Sequence, residues 1–310
     1  MQFGDAIRCR TGRVMTGIAA AAALSAQAPS PQAPNDIVVN GKRLSDEQAR
    51  RQAASYVRGT GVVSGERAAA RWIDPVCPRV LGIEAKLARH VEQRVRAAAT
   101  AAGAPLAPEP CKPNALVSFV SNGADIARRI ANRQPRQFSA LTPPERAAML
   151  GADMPVRWWY STEVRGRDGD RLLGMEPVFV KGDGGTPGAV LPGNGDTDFL
   201  ALYGNSIVST MVVRAIRSAT VLVDVDKATG VRLDAAADYA AFVALAELRP
   251  TSAPQPNSIL DLFKGEAPPT RLTEWDEKFL RHLYRMPLDR RALRQRNALA
   301  AALIDDRPQR

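Results

Sequence analysis

The chain predicts an α/β (α+β) fold: a mixed sheet flanked by helices, with a helical C-terminal third. Three features predict it. The stretch from Ile83 to Ala102 carries apolar residues at helical spacing and is followed by the strand-like run Ala115–Val120. The middle of the chain then alternates Val-, Ile- and Thr-rich runs with Gly- and Asp-rich turns before another helical stretch at 234–248. From Ser258 onward only helical spacing and helix caps recur.

The elements follow in order. Ser45-Asp46-Glu47 caps a helix through about Arg58, and Gly59–Gly65 reads as a loop. Ile83, Leu87, Val91 and Val95 recur every four residues, with Lys86, Arg89, Glu92 and Arg96 between them. Gly103 stops this helix, and Pro105, Pro108 and Pro110 keep it stopped. After the strand ALVSFV, Ala124–Arg133 is a second helix, and Thr142-Pro143-Pro144-Glu145 opens a third, because Pro fits a first helical turn and Glu suits its dipole. Val156–Val164 is a strand closed by a GRDGD turn, and Met175–Val180 is another, followed by a long loop from Gly182 to Asp196. Ile207–Val213 and Ala219–Val225 read as two strands. A helix from about Asp234 to Leu248 comes next, then short 258–263, then Thr273–Tyr284 with Leu272, Trp275, Phe279, Leu283 and Met286 on one side. Pro287 divides that helix from the last one, at 289–305.

Composition narrows the function. The 310 residues include 42 Lys and Arg, 32 Asp and Glu, two His and three Cys, and are 45% hydrophobic and 24% charged, as in a globular protein of one or two domains. This is too short for a large outer-membrane barrel and too long for a disulfide mini-protein. With 4 Trp, 5 Tyr and 8 Phe, the core must be built from Ala, Val, Leu and Ile.

The first residues predict export. Arg8, Arg10 and Arg13 precede an apolar stretch from Val14 to Leu24, and small residues close it, with cleavage expected after Ala26. The stretch is far short of the roughly 20 residues a spanning helix needs, so no transmembrane segment is expected. The expected organisation is a signal peptide at 1–26, a linker and N-terminal segment at 27–69, and a single α/β domain at 70–310, in a periplasmic or secreted protein. Within the linker, DIVVNGKRL is similar to the segment that opens the plug of TonB-dependent receptors, though no barrel follows. Cleavage removes Cys9 together with three Arg and one Asp, so the net charge goes from +10 to +8. Cys77 and Cys111 remain, and an even, small cysteine count in an exported chain predicts one disulfide between them, tying one end of the 83–102 helix to the strand that follows.

Most catalytic constellations are missing from the sequence. A zinc peptidase of the common type needs two His four apart on one helix face with a Glu beside the first, and LDAAADYAAFVALAEL, at the expected place, has no His. There is no G-x-S-x-G nucleophile elbow, and Gly182–Gly188 has no following Lys-Ser/Thr to make a P-loop. Asn194, Asp196 and Asp198 have the start of a calcium-loop spacing, but Phe199 and Asn205 stand where that loop needs Gly and Glu, so it reads as a solvated loop. No metal site and no cofactor site is expected.

The succession of an apolar helix, PNALVSFV, ATVLVD, a helix, SILDLF and LTEWDEKFLRHLY resembles a family of uncharacterised exported bacterial proteins, and through them the zincin-like metallopeptidase fold. The resemblance spans roughly residues 70–305. It implies an α/β domain with a mixed sheet. With the His-Glu-x-x-His motif missing, the resemblance implies a non-catalytic version of that fold.

The expected function is therefore binding or interaction in the cell envelope, with an envelope protein or ligand as partner. The alternative is a carboxylate-based, peptidase-like hydrolase, for which Asp224, Asp234 and Asp238 are the candidate catalytic residues, near a strand end and the next helix. His90 and His282 both border apolar stripes and read as packing residues; the sharper alternative has them meeting as a base and its partner. The basic residues are mostly Arg, interspersed with acids, which favours contact with an anionic membrane surface over nucleic acid. The one aromatic cluster, Trp158-Trp159-Tyr160, is expected to pack at least one of its faces in the core.

Overall fold

The computed structural model describes residues 46–170, 179–180, 189–190, 210, 212–250, 255–264 and 267–305, all within the unit Leu44–Arg310. In chain order the elements are α1 (Asp46–Thr60), β1 (Ala70–Trp72), β2 (Pro78–Leu81), α2 (Ala85–Ala102), β3 (Ala115–Val120), α3 (Gly123–Arg133), α4 (Pro143–Leu150), β4 (Val156–Gly166), β5 (Phe179–Val180), β6 (Ala189–Val190), β7 (Val212–Asp224), α5 (Leu233–Leu245), α6 (Glu274–Arg285) and α7 (Ala292–Ile304). Single 3-10 turns lie at Pro135–Phe138 and Ile259–Asp261.

The long strand β7 is the spine of the sheet. β1 pairs in parallel with its first half, Ala70 opposite Arg214, and β3 pairs in parallel with its second half, Ala115 opposite Ala219. β2 continues in parallel on the far edge of β3, while β4 runs antiparallel along the other edge of β7. The sheet is mixed and flanked by helices, as the sequence predicts. β1 and β2 follow one path that the start of β3 divides. At the divide the Cys77 carbonyl accepts the N–H groups of Asn114 (3.1 Å) and Ala115 (3.2 Å), and Cys77 N–H donates to Asn114 Oδ1 (2.7 Å).

The strand period of two sorts the side chains between two cores. Val156, Trp158 and Tyr160 of β4, with Ala219, Val221 and Val223 of β7, enter the larger core, to which α1, α2, α5, α6 and α7 contribute. Trp159 and Leu222 point the other way, onto Ala127 and Ala131 of α3 and Phe138. Every residue of α5 from Ala235 to Leu245 is buried, as expected of a helix that is apolar on all sides. Its alanines meet a matching set on α2, where Ala88, Val91, Val95, Ala98, Ala99 and Ala102 are buried.

Several boundaries differ from the sequence reading. Ile207–Val213 and Ala219–Val225 are not two separate strands: Val212–Asp224 is one strand, held continuous by pairing with β4, and the register shifts opposite Ser161 and Thr162. Residues 207–209 lie outside the described set, as do 194–205 with their calcium-like spacing and 175–178 of the expected strand. Within the expected loop 182–196, Ala189–Val190 pairs with Phe179–Val180. The first helix runs on through Thr60, into the expected loop. The apolar face of α2 is centred on Ala88 and Val91, and Leu87 is 41% exposed, because close packing against α5 selects the alanine side. The last helix starts at Ala292.

Cys77 and Cys111 are within bonding distance, S–S 2.10 Å. The bridge ties the N-terminal ends of the neighbouring strands β2 and β3, because β2 lies between Cys77 and the helix that the sequence placed directly after it.

Candidate functional site

The first turns of α5 face α2, and this brings two of the three candidate carboxylates together. His90 Nε2 of α2 lies 2.7 Å from Asp234 Oδ1. One turn further along both helices, Arg94 donates through Nε (2.9 Å) and Nη2 (2.7 Å) to Asp238 Oδ1, and its Nη1 lies 3.7 Å from Asp234. Leu272 N–H caps Asp238 Oδ2 at 3.0 Å. Asp238 is buried and Asp234 is half exposed. The hydrogen bond from His90 holds the Asp234 carboxyl below the usual carboxylate range; desolvation opposes this, and the Arg94 charge reinforces it.

A recess of about 280 Å³ opens beside this cluster, between α2, α5 and α6. Its floor is apolar: Ala97, Ala98, Ala101 and Ala102 of α2, with Leu272 and Leu280. Arg94, Arg271 and Arg281 line it with Asp238 and Glu277. Arg94 is engaged by Asp238. Among the described residues neither Arg271 nor Arg281 has a carboxylate within 4 Å. An apolar floor with two guanidinium-bearing residues in its lining suits a small molecule that carries an anionic group. The volume is just below the ~300–1,000 Å³ common for ligand pockets.

Asp224 is not part of this cluster. It ends β7 on the parity of Leu222, facing α3, so the sheet separates it from Asp234 and Asp238. Its Oδ2 accepts the Gly123 N–H at the start of α3 (2.8 Å) and lies 3.7 Å from Arg157 Nη1. Its buried Oδ1 has no hydrogen-bond partner among the described residues. Arg157 is fully buried and donates to the carbonyls of Met149 (3.1 Å), Met154 (2.6 Å) and Gly151 (2.7 Å). Burial lowers the Arg157 guanidinium from its ordinary value, and Asp224 opposes that. Asp224 and Arg157 thus hold the loop before β4 and the start of α3 in place.

The two histidines do not pair: His90 bonds Asp234, and His282 Nε2 is buried with no partner among the described residues. Trp158, Trp159 and Tyr160 pack on both faces of the sheet. Trp158 Nε1 donates to the Leu248 carbonyl (3.0 Å), Trp159 Nε1 donates to Gln137 Oε1 (2.8 Å), and the Tyr160 hydroxyl lies 2.6 Å from the Val243 carbonyl. Sequence reasoning missed Arg271, just before α6, and Arg281, within it, since isolated arginines carry no motif. It also missed Glu247, a buried carboxylate bonded by Arg67 (2.6 Å) and by both terminal nitrogens of Arg214 (2.5 and 3.0 Å).

Among the described residues no group of three or more His, Cys, Asp or Glu is arranged to hold a metal ion, and no helix is long and apolar enough to cross a membrane. Compared with family models, with curated proteins and with solved structures, the chain matches none.

Proposed function

We propose that this chain is an exported, non-catalytic binding protein of the cell envelope, and that its ligand site is the recess between α2, α5 and α6. The observation that carries the reading is the pair Arg271 and Arg281 over an alanine floor, with the neighbouring carboxylate Asp238 already neutralised by Arg94. A buried acid spent on an ion pair and a backbone N–H is poorly placed to take a proton from a substrate. Guanidiniums without a carboxylate partner favour an anion. Export draws support from the basic-then-apolar start of the chain and from the cysteine pair, whose pairing suits an oxidising compartment. The zincin-like kinship belongs to the same proposal.

The test is native mass spectrometry of protein purified gently from its own envelope extract. The expected result is a mature chain beginning after Ala26 that carries a small anionic adduct, which the Arg271→Gln/Arg281→Gln double variant no longer carries. Adduct-free wild type, or an adduct indifferent to both substitutions, overturns the reading.

One observation favours a second reading, a hydrolase. The His90–Asp234 couple has the geometry of a general base with its orienting carboxylate, and Asp234 lies 3.7 Å from Arg94, which lines the recess. Turnover of ester or peptide substrates that disappears in both His90→Gln and Asp234→Asn would establish it in place of the first.

A further inference from the structure

A second surface, away from the recess, has no role in the reading above. α1 and α7 pack side by side, and a groove of about 520 Å³ runs between them. Its floor includes Ala54, Val57, Val63 and Ala300, and its walls carry Arg58 and Arg296. Arg50 precedes Ala54 and Arg58 at i, i+4 and i+8, so it shares their face of α1. Arg294 stands in the first turn of α7, exposed, one turn before the groove residue Asn297. Among the described residues none of Arg50, Arg58, Arg294 and Arg296 has a carboxylate within 4 Å. Arg296 donates to a backbone carbonyl, that of Gly65 at 2.8 Å. Between these arginines Leu293 stands out at 57% exposure, the most exposed large hydrophobic side chain among the described residues.

Two features of this face work against the stability of the protein itself. The N-terminal turn of a helix disfavours a cation, yet Arg294 sits there and the turn contains no acid. Leu293 leaves more than half of its apolar surface in water. Local rules broken without an intramolecular return mark a surface kept for something else. A guanidinium cluster calls for phosphates. A leucine projecting among them distinguishes the source, because nucleic acid has no apolar layer beneath its phosphates, whereas a bilayer does.

We infer that the α1/α7 face docks on an anionic lipid surface. Arg50, Arg58, Arg294 and Arg296 meet lipid phosphates, and Leu293 enters the acyl boundary between them. The inference does not depend on the recess or on its ligand.

Co-sedimentation of the purified chain with vesicles tests it. Vesicles containing phosphatidylglycerol are expected to bind the protein at low salt, and vesicles of phosphatidylcholine alone are not. Each arginine is expected to contribute about fivefold to the partition coefficient at low salt, so Arg58→Gln/Arg294→Gln lowers it on the order of twentyfold. Leu293→Ala lowers it about threefold. The same charge is removed elsewhere by Arg133→Gln/Arg136→Gln, on the exposed edge of the smaller core, and this pair is expected to change binding less than twofold. Circular dichroism and thermal melts verify that all variants fold. No binding to phosphatidylglycerol vesicles, an equal loss in the Arg133/Arg136 control, or tighter α7-dependent binding to a short DNA duplex than to the vesicles each overturns the inference.

Discussion

The Asp224 carboxylate accepts the Gly123 N–H at 2.8 Å, joining the last residue of β7 to the first turn of α3. A carboxylate at the positive end of a helix, 3.7 Å from a fully buried guanidinium, neutralises both at once. Asp224→Ala is therefore expected to lower unfolding free energy by about 2–4 kcal/mol, measured in urea. Asp224→Asn, which keeps an oxygen for Gly123, is expected to lose less. A loss under about 0.5 kcal/mol in the alanine variant would show that the carbonyls of Met149, Gly151, Met154 and Ala152 around Arg157 suffice without Asp224.

Glu247 gathers Arg67 and Arg214 inside the fold, 4% exposed. Burial pushes its carboxyl up, but Arg214, Arg67 and Arg249 together hold it below the usual carboxylate range. The unfolded state then takes up the proton first, so the stabilisation is complete above the ordinary glutamate pKa of about 4.3 and is lost as pH falls through the lowered folded value. Glu247→Ala leaves guanidiniums without their anion and is expected to destabilise by about 2–4 kcal/mol at pH 7, discounted for the partial exposure of both arginines. In acid titrations followed by circular dichroism, Glu247→Gln should unfold with a shallower pH dependence than wild type.

The half-buried His282 imidazole, whose Nε2 is inaccessible, has the opposite chemistry but the same sign. Burial lowers it from its ordinary value, and Arg285 adds to that. Below about pH 6.5 the unfolded chain binds a proton that the folded one resists, so stability is full above that pH and declines as pH drops. Thermal melts between pH 7 and pH 5 should show wild type losing more of its melting temperature than His282→Leu. Equal slopes would mean the imidazole does not sense the transition.

Reduction of Cys77–Cys111 opens a loop with a sequence separation of 34 residues. Loop-closure entropy predicts a loss of about 3–4 kcal/mol. Urea midpoints of Cys77→Ser/Cys111→Ser against the oxidised wild type measure it. A double variant as stable as wild type would assign the held strand ends to the Asn114 and Cys77 backbone hydrogen bonds alone.

What the sequence disclosed was local. The cap of α6 is written in Thr273 and Asp276, and the structure shows the reciprocal bonds, Thr273 N–H to Asp276 Oδ2 (2.9 Å) and Asp276 N–H to Thr273 Oγ1 (3.1 Å). The start of α4 is written the same way, with Thr142 N–H on Glu145 Oε2 (2.8 Å). β3 announces itself as an apolar run interrupted only by Ser118, because both its faces are covered. β1 and β2 do not: they have three and four residues, and their strand character comes from β7 and β3 rather than from propensity. Whether α2 would bury Leu87 or Ala88 depended on the alanines of a helix far along the chain. The charged cores stayed hidden for the same reason. Arg67 and Glu247 are 180 positions apart, and no spacing rule connects them. Asp234 and Asp238 were visible as a helical pair, but not their partners His90 and Arg94 on another helix.

The division of β1 from β2 sets the order in which this molecule can assemble. Ala70 has its register partner in Arg214, 144 positions later in the sequence. A chain delivered from its N-terminus must therefore carry Trp72 unpaired until β7 arrives, while the β2–α2–β3 unit behind it can close early on short-range contacts and its own covalent staple. Nascent chains halted before Val212 would leave β1, β4 and the β7-facing edge of β3 without their partner strand, open edges of the kind that pair with other chains.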